Sequence, residues 1–202
     1  MSFTLIIIVI TGFVTYKGLS DRSFQYKMMF NPYQVHQKRE WYRLVSHGFI
    51  HADFMHVAFN LYALWMFGPI IDEKFALYFP GKSATLYGIL YIGGVIASSL
   101  MSLEKHKNNP TYNALGASGA VSAVVFAAIM MDPMMRLSVF FIPMKGWMMG
   151  ILYLGYSHYM SKKNIDNVGH DAHFWGAIFG LLIMVVFRFE FLQEFFEKLG
   201  LI

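Results

Sequence analysis

The sequence predicts an all-α polytopic membrane protein, folded as a compact bundle of six spanning helices. Three observations carry this. Of 202 residues, 56% are hydrophobic and 14% charged, where a soluble domain carries about 25% charge. The apolar residues gather into six stretches, most close to the roughly 20 residues a spanning helix needs. Between them no segment is left over for a soluble domain, so residues 1–202 read as one membrane domain.

The first span covers about 3–18. Its apolar run FTLIIIVITGFVTY follows no Lys or Arg and precedes no small-x-small site, so it reads as a retained helix and not as a signal peptide. A long first loop, about 19–53, is rich in Tyr, Phe, Trp, Lys and Arg and suits the membrane interface. Spans two and three cover about 54–71 and 84–103, the latter (ATLYGILYIGGVIASSLMSL) the cleanest by length. Span four covers 114–131. Pro143 and Lys145 blur the start of span five, 146–160, and the preceding RLSVFFIP reads as a partly membrane-embedded loop. Span six covers 172–187.

The composition also narrows the chemistry. There is no cysteine, which removes disulfides, thiolate metal sites and cysteine nucleophiles together. The net charge of +4 is scattered, without a basic stripe mixed with aromatics, and argues against a nucleic-acid partner. The bilayer, with its anionic headgroups, is the plainer partner.

Counting crossings gathers the polar residues. Loops one, three and five share a side, so spans two, four and six all start there. At those starts lie His51, His56 and Asn60, then Ser118, then His173. From Gly116 to Met131 a helix is about 24 Å long, short of a core of about 30 Å. If it reaches the far interface, Ser118 opens it below the near one. The first turn of a helix offers unpaired N–H groups and a partial positive charge suited to an oxyanion. Gly116 and Gly119 leave room for a peptide to approach. A serine needs a base, and a partly desolvated imidazole at His173 stays neutral and able to accept. His170 is a rival base, and Asp171 reads as a solvated loop charge. Small residues recur along span four (Gly116/Ala120, Gly119/Ala123/Ala127) and at Gly176 and Gly180 of span six, as in close membrane-helix contacts. Singly, each polar group has a bland explanation, a serine bonding its own backbone or a histidine bridging helices. Their convergence favours function.

On these residues the chain resembles the rhomboid family of intramembrane serine proteases. WYRLVSHGFIHADFMHVAFN is similar to its first-loop signature, here Trp41, Arg43, His47, His51, His56 and Asn60. GASG resembles its nucleophile motif, and AHFWGAIFG its A-H-x-x-G-x-x-x-G. The resemblance implies a dyad of Ser118 and His173 without a carboxylate, cofactor or metal. It implies an oxyanion hole from the Ser118 N–H, His56 and Asn60. His56 and Asn60, i and i+4 on one helix face, can aim two N–H donors at one point. Gly176 and Gly180 would pack the histidine's helix on that of the serine. The substrates implied are membrane-anchored proteins cut in or near their transmembrane segment. Alternatives from other classes are a catalytically silent rhomboid-like protein that binds transmembrane helices, and a metal transporter using His47, His51 and His56.

Two features depart from the family pattern: Tyr42 separates Trp41 from Arg43, and Ser122 stands four residues after Ser118, where a tyrosine often lies under the histidine. The resemblance also implies a multi-pass protein whose site opens to the extracytoplasmic side, and the absence of a presequence points to a bacterial plasma membrane. Positive-inside counting points the other way. Six of 16 Lys/Arg (Lys74, Lys82, Arg136, Lys145, Arg188 and Lys198) lie on the opposite side, leaving ten on the site's side.

Overall fold

The computed structural model describes residues 2–139, 141–163 and 168–202. Helix α1 (Phe3–Ser20) opens the chain. Its first N–H groups have no carbonyl one turn back, and a carboxylate from far along the chain meets them. Asp72 accepts from the N–H groups of Phe3 (3.0 Å) and Thr4 (3.2 Å), which also sets a negative charge against the positive helix end.

The first loop is more ordered than an interfacial segment need be. It folds into α2 (Arg22–Met28), α3 (Pro32–Lys38) and α4 (Arg43–Ser46), followed by a 3-10 turn at His47–Phe49. Asp21 caps α2, and Asn31, followed by Pro32 at the first helical position, caps α3. Arg43 is buried at their junction. It donates to the carbonyls of Tyr26 (2.8 Å) and Met29 (2.7 Å) and pairs with Glu40 at 2.6 Å.

The described residues further form a hairpin and the helices α5 (Phe54–Tyr78), α6 (Ser83–His106), α7 (Ser118–Met131), α8 (Gly146–Lys163), α9 (His170–Phe187) and α10 (Glu190–Leu199). Among the described residues, four helices, α1, α5, α6 and α9, are long and apolar enough to cross a membrane. With the shorter apolar α7 and with α8, they make up a helical polytopic bundle.

Helix α7 is its central post. Every residue from Gly119 to Met131 is buried, which explains an apolar composition with no polar face. Helices α5, α6 and α9 surround it. A Cβ at Gly176 would lie 2.2 Å from the carbonyl oxygen of Gly119, and one at Gly180 2.3 Å from that of Ala123. The backbones of α7 and α9 therefore touch. The outer helices show large apolar side chains instead, Phe13, Phe59, Tyr62, Trp65 and Val186 among them.

Several boundaries differ from the sequence reading. Span four was expected from 114, but α7 starts at Ser118 because Gly116 has φ +123°, which breaks helical geometry. Helix α5 runs on to Tyr78 through Pro69, past the apolar stretch and into charged residues. The stretch RLSVFFIP forms most of an antiparallel hairpin, β1 (Arg136–Val139) with β2 (Ile142–Lys145). Phe140 of that stretch lies outside the described residues. Helix α10 was not foreseen. Its Phe191 is fully buried, and its Lys198 donates to the Met131 carbonyl at the end of α7 (2.6 Å).

Candidate active site

A cavity of about 1190 Å³ sits among α5, α6, α7, α8 and α9, and Ser118, His173, His56 and Asn60 all line it. Ser118 is the first residue of α7 and follows Ala117 at the cap position. The Val121 N–H is the first to bond back, to the Ala117 carbonyl at 2.9 Å. The N–H groups of the turn opened by Ser118 thus point toward the cavity end of the helix.

The turn before Ser118 is held from the first loop. Phe30 and Ala114 exchange both N–H···O bonds at 2.9 Å, and the Gly116 N–H donates to the His47 carbonyl at 3.0 Å. The amide of Asn31 donates to the Pro110 carbonyl and the Asn113 side chain, each at 3.1 Å. Nothing but glycine fits at 116. Its φ of +123° strains any side chain, and a Cβ there would stand 2.7 Å from Cε1 and 2.8 Å from Nε2 of His56.

His51 ties this turn to α1. The Ala117 N–H donates to His51 Nε2 at 3.1 Å, and Nδ1 meets the Thr15 hydroxyl at 2.9 Å. That hydroxyl donates its single proton to the Phe49 carbonyl (3.1 Å), so Nδ1 carries the imidazole proton and Nε2 is the acceptor. Burial, reinforced by nearby His56, lowers the His51 pKa from 6.5 to about 3. A neutral ring is what an Nε2 acceptor requires. His47 is held likewise, with Nδ1 on the Arg43 carbonyl (2.8 Å) and Nε2 on the Ser99 hydroxyl (3.1 Å), and burial lowers its pKa to about 4. Both rings have committed both nitrogens to the protein, which leaves neither free to ligate a metal.

His56 stands at the start of α5, its backbone N–H capped by Asp53 at 2.8 Å, its ring edge-on to His51 with centroids 4.9 Å apart. Asn60, one turn on, donates one amide proton to the His56 carbonyl (2.9 Å). An amide has two N–H donors, and Asn60 lines the cavity.

His173 lies one turn into α9, with His170 in the first turn. The two rings meet edge-on at 5.9 Å, and His170 is buried with its outer side against Tyr156. A side chain from α8 faces the other partner. The ring of Tyr153 lies near-parallel to that of His173, 29° between planes and 6.2 Å between centroids. Its hydroxyl is 2.6 Å from the Ser122 hydroxyl, which itself donates to the Ser118 carbonyl at 2.8 Å.

The structure thus brings Ser118, His173, His56, Asn60, Gly116 and Gly119 to one cavity, with His47 on its wall. It sets His51 behind His56, Arg43 within the first loop, and Gly176 and Gly180 on the α7–α9 contact. Trp41 stays half-exposed, with the Arg39 guanidinium 6.0 Å over its ring. Sequence reasoning missed Thr15, Ser99 and Tyr153. For Thr15 a signal was present. Thr4, Thr11 and Thr15 recur on one face of an otherwise apolar helix, and all three are buried, where a polar residue needs a partner.

Fold and site together define a helical polytopic membrane protein with a serine and a histidine sharing a cavity between central helices. Residues 38–189 match the model of the rhomboid domain, and the chain belongs to the rhomboid family. Similar proteins include "RHOMBOID-like protein 12, mitochondrial" of Arabidopsis thaliana, 27% identical over 77% of this chain and 50% of its own length. The rhomboid protease GlpG of Haemophilus influenzae is 26% identical over 82% of this chain and 78% of its own. The rhomboid protease GluP of Bacillus subtilis is 28% identical over 69% of this chain and 25% of its own. The chain spans about half the length of the first of these.

Proposed function

We propose that this protein is an intramembrane serine endopeptidase that cuts membrane-anchored proteins in or near their transmembrane segment. One observation carries the reading: Ser118 opens α7 at a cavity that His173 of α9 also lines, and the backbones of these two helices touch. In the reaction, Ser118 Oγ attacks the scissile carbonyl carbon while His173 takes its proton. The carbonyl oxygen, now an anion, receives N–H donors from the Ser118 backbone, His56 and Asn60. The C–N bond breaks as His173 returns the proton to the leaving amine. Water, deprotonated by His173, then releases the acyl group and regenerates Ser118. A helical peptide bond is shielded, so substrates with Gly, Pro or polar residues near the cut, which weaken a helix, are the better ones.

The test is cleavage of a helix-destabilised single-span reporter in proteoliposomes. Wild type cleaves, whereas Ser118→Ala and His173→Ala, folded alike, do not. Undiminished cleavage by Ser118→Ala overturns the serine assignment. A wild type that binds the reporter helix and never cuts it, across several reporters, favours the silent helix-binding alternative.

The same reading sets the cavity on the extracytoplasmic side of a bacterial plasma membrane. With no native cysteine, single-cysteine labelling tests the side. A membrane-impermeant maleimide added to intact cells labels Asn108→Cys, in loop three, and not Lys82→Cys, at the other end of α6. The reverse pattern refutes the orientation.

A further inference from the structure

We propose that Tyr153 of α8 is the positioning residue of His173, an inference that rests on reading Ser118 and His173 as a dyad. An imidazole on a helix turns about two side-chain torsions, and a base is useful only when one ring nitrogen faces the nucleophile. A flat, fixed surface beside the ring limits those torsions. Ser122, one turn along α7 from Ser118, is too small to provide it. Tyr153 reaches in from α8 and does.

Its ring is held by two aromatic contacts and at the tip. It lies near-parallel to His173, and it packs on Phe126 of α7 with centroids 5.5 Å apart at 54°. Both separations fall in the range where aromatic pairs attract. The hydroxyl direction follows from counting protons. Ser122 has one and gives it to the Ser118 carbonyl (2.8 Å), so across the 2.6 Å contact Tyr153 is the donor. The chain Tyr153 O–H to Ser122 O–H to Ser118 C=O fastens the tyrosine to the turn that bears the nucleophile. One side chain thereby sets the His173 ring relative to Ser118, although it belongs to neither of their helices. Ser122 is part of the device as the relay, so its small size at this place is explained.

The experiment compares Tyr153→Phe, which keeps the ring, with Tyr153→Leu, which removes it, in full-length protein in proteoliposomes. For Tyr153→Leu, kcat falls roughly 10²-fold, the scale of a misplaced reacting group, while KM for the reporter stays near wild type. Labelling of Ser118 by a fluorophosphonate slows in parallel. Tyr153→Phe keeps kcat within about tenfold, because the ring beside the imidazole stays and only one hydrogen bond is lost. Equal kcat for wild type and Tyr153→Leu overturns the proposal. NMR of protein carrying ¹³C-labelled histidine gives a readout independent of catalysis. The His173 ring resonances move and broaden in Tyr153→Leu and stay sharp in Tyr153→Phe. Unmoved, sharp His173 resonances in Tyr153→Leu overturn the positioning role even if wild type never cleaves, an outcome that would count separately against the dyad. If Tyr153→Leu does not fold, Tyr153→Met carries the same comparison.

Discussion

Gly116 shows how closely single residues are bound to one another here. Backbone strain and the His56 ring both exclude a side chain, so Gly116→Ala is expected to cost about 1–3 kcal/mol from the backbone alone. It also displaces His56, and cleavage is lost with it. A thermal unfolding midpoint in detergent and the reporter assay check the two effects separately. His56→Ala, with the backbone undisturbed, isolates the second: one lost oxyanion donor lowers kcat about 10²–10³-fold. The buried histidines make a pH prediction. Their folded pKa values, about 3 for His51 and about 4 for His47, lie below the unfolded 6.5, so the unfolded chain binds more protons in between. The stability they contribute is whole above pH 6.5 and is lost as pH falls from there to about 4 for His47 and about 3 for His51. A midpoint that drops between pH 6.5 and 5, before carboxylates titrate, supports this, and His47→Gln with His51→Gln flattens the slope. At this scale the sequence offered Ser118, His173, His56 and Asn60 as candidates because their chemistry is scarce in membranes, and all four line one cavity. Tyr153 was not among them. It is one of several aromatics on an apolar helix, and its partners lie on two other elements.

Among the elements, the α7–α9 contact governs the rest, because it sets the distance between the two candidate catalytic helices. A methyl group at Gly180 would fall 2.3 Å from the Ala123 carbonyl oxygen, a backbone atom that cannot swing aside. Gly180→Ala is therefore expected to push the helices apart and destabilise by about 1–3 kcal/mol, the usual range for overpacking. Gly155→Ala on α8 is the control, since nothing lies within 4 Å of its added Cβ. Its midpoint stays level or rises, a helical glycine being the poorer helix former. Equal midpoints for the two variants would refute the close-contact account. The spans were legible as apolar length, and their small-residue stripes as a packing face. Helix α10 escaped because EFLQEFFEKL alternates charge with Phe and Leu, which hides a short amphipathic helix from any reading by apolar length. The helices of the first loop escaped although Asp21 and the Asn31–Pro32 pair announce their starts, because aromatic and cationic composition alone reads as an interface.

Across the whole molecule, the candidate site is assembled from parts distant in sequence, and topology explains why the sequence could bring its residues to one cavity. Alternate helix starts must share a side, so the polar residues at three of them had to meet. What topology could not supply was the way the site is supported. The rhomboid match begins at residue 38, yet α1, ahead of it, reaches the turn that bears Ser118 through two hydrogen bonds, the His51 Nδ1–H donating to the Thr15 hydroxyl and the Ala117 N–H donating to His51 Nε2. Thr15 is buried, so no water substitutes for it. Thr15→Val keeps the shape and removes the acceptor, which leaves the His51 Nδ1–H unpaired at a cost of about 1–3 kcal/mol. The ring then gains freedom to turn, and the turn holding Ala117 and Ser118 loosens with it. The expected outcome is a lower unfolding midpoint together with a reduced kcat, whereas Thr15→Ser, which keeps the hydroxyl, stays near wild type in both. A Thr15→Val protein with unchanged kcat and midpoint would mean that α1 anchors the chain without supporting the site.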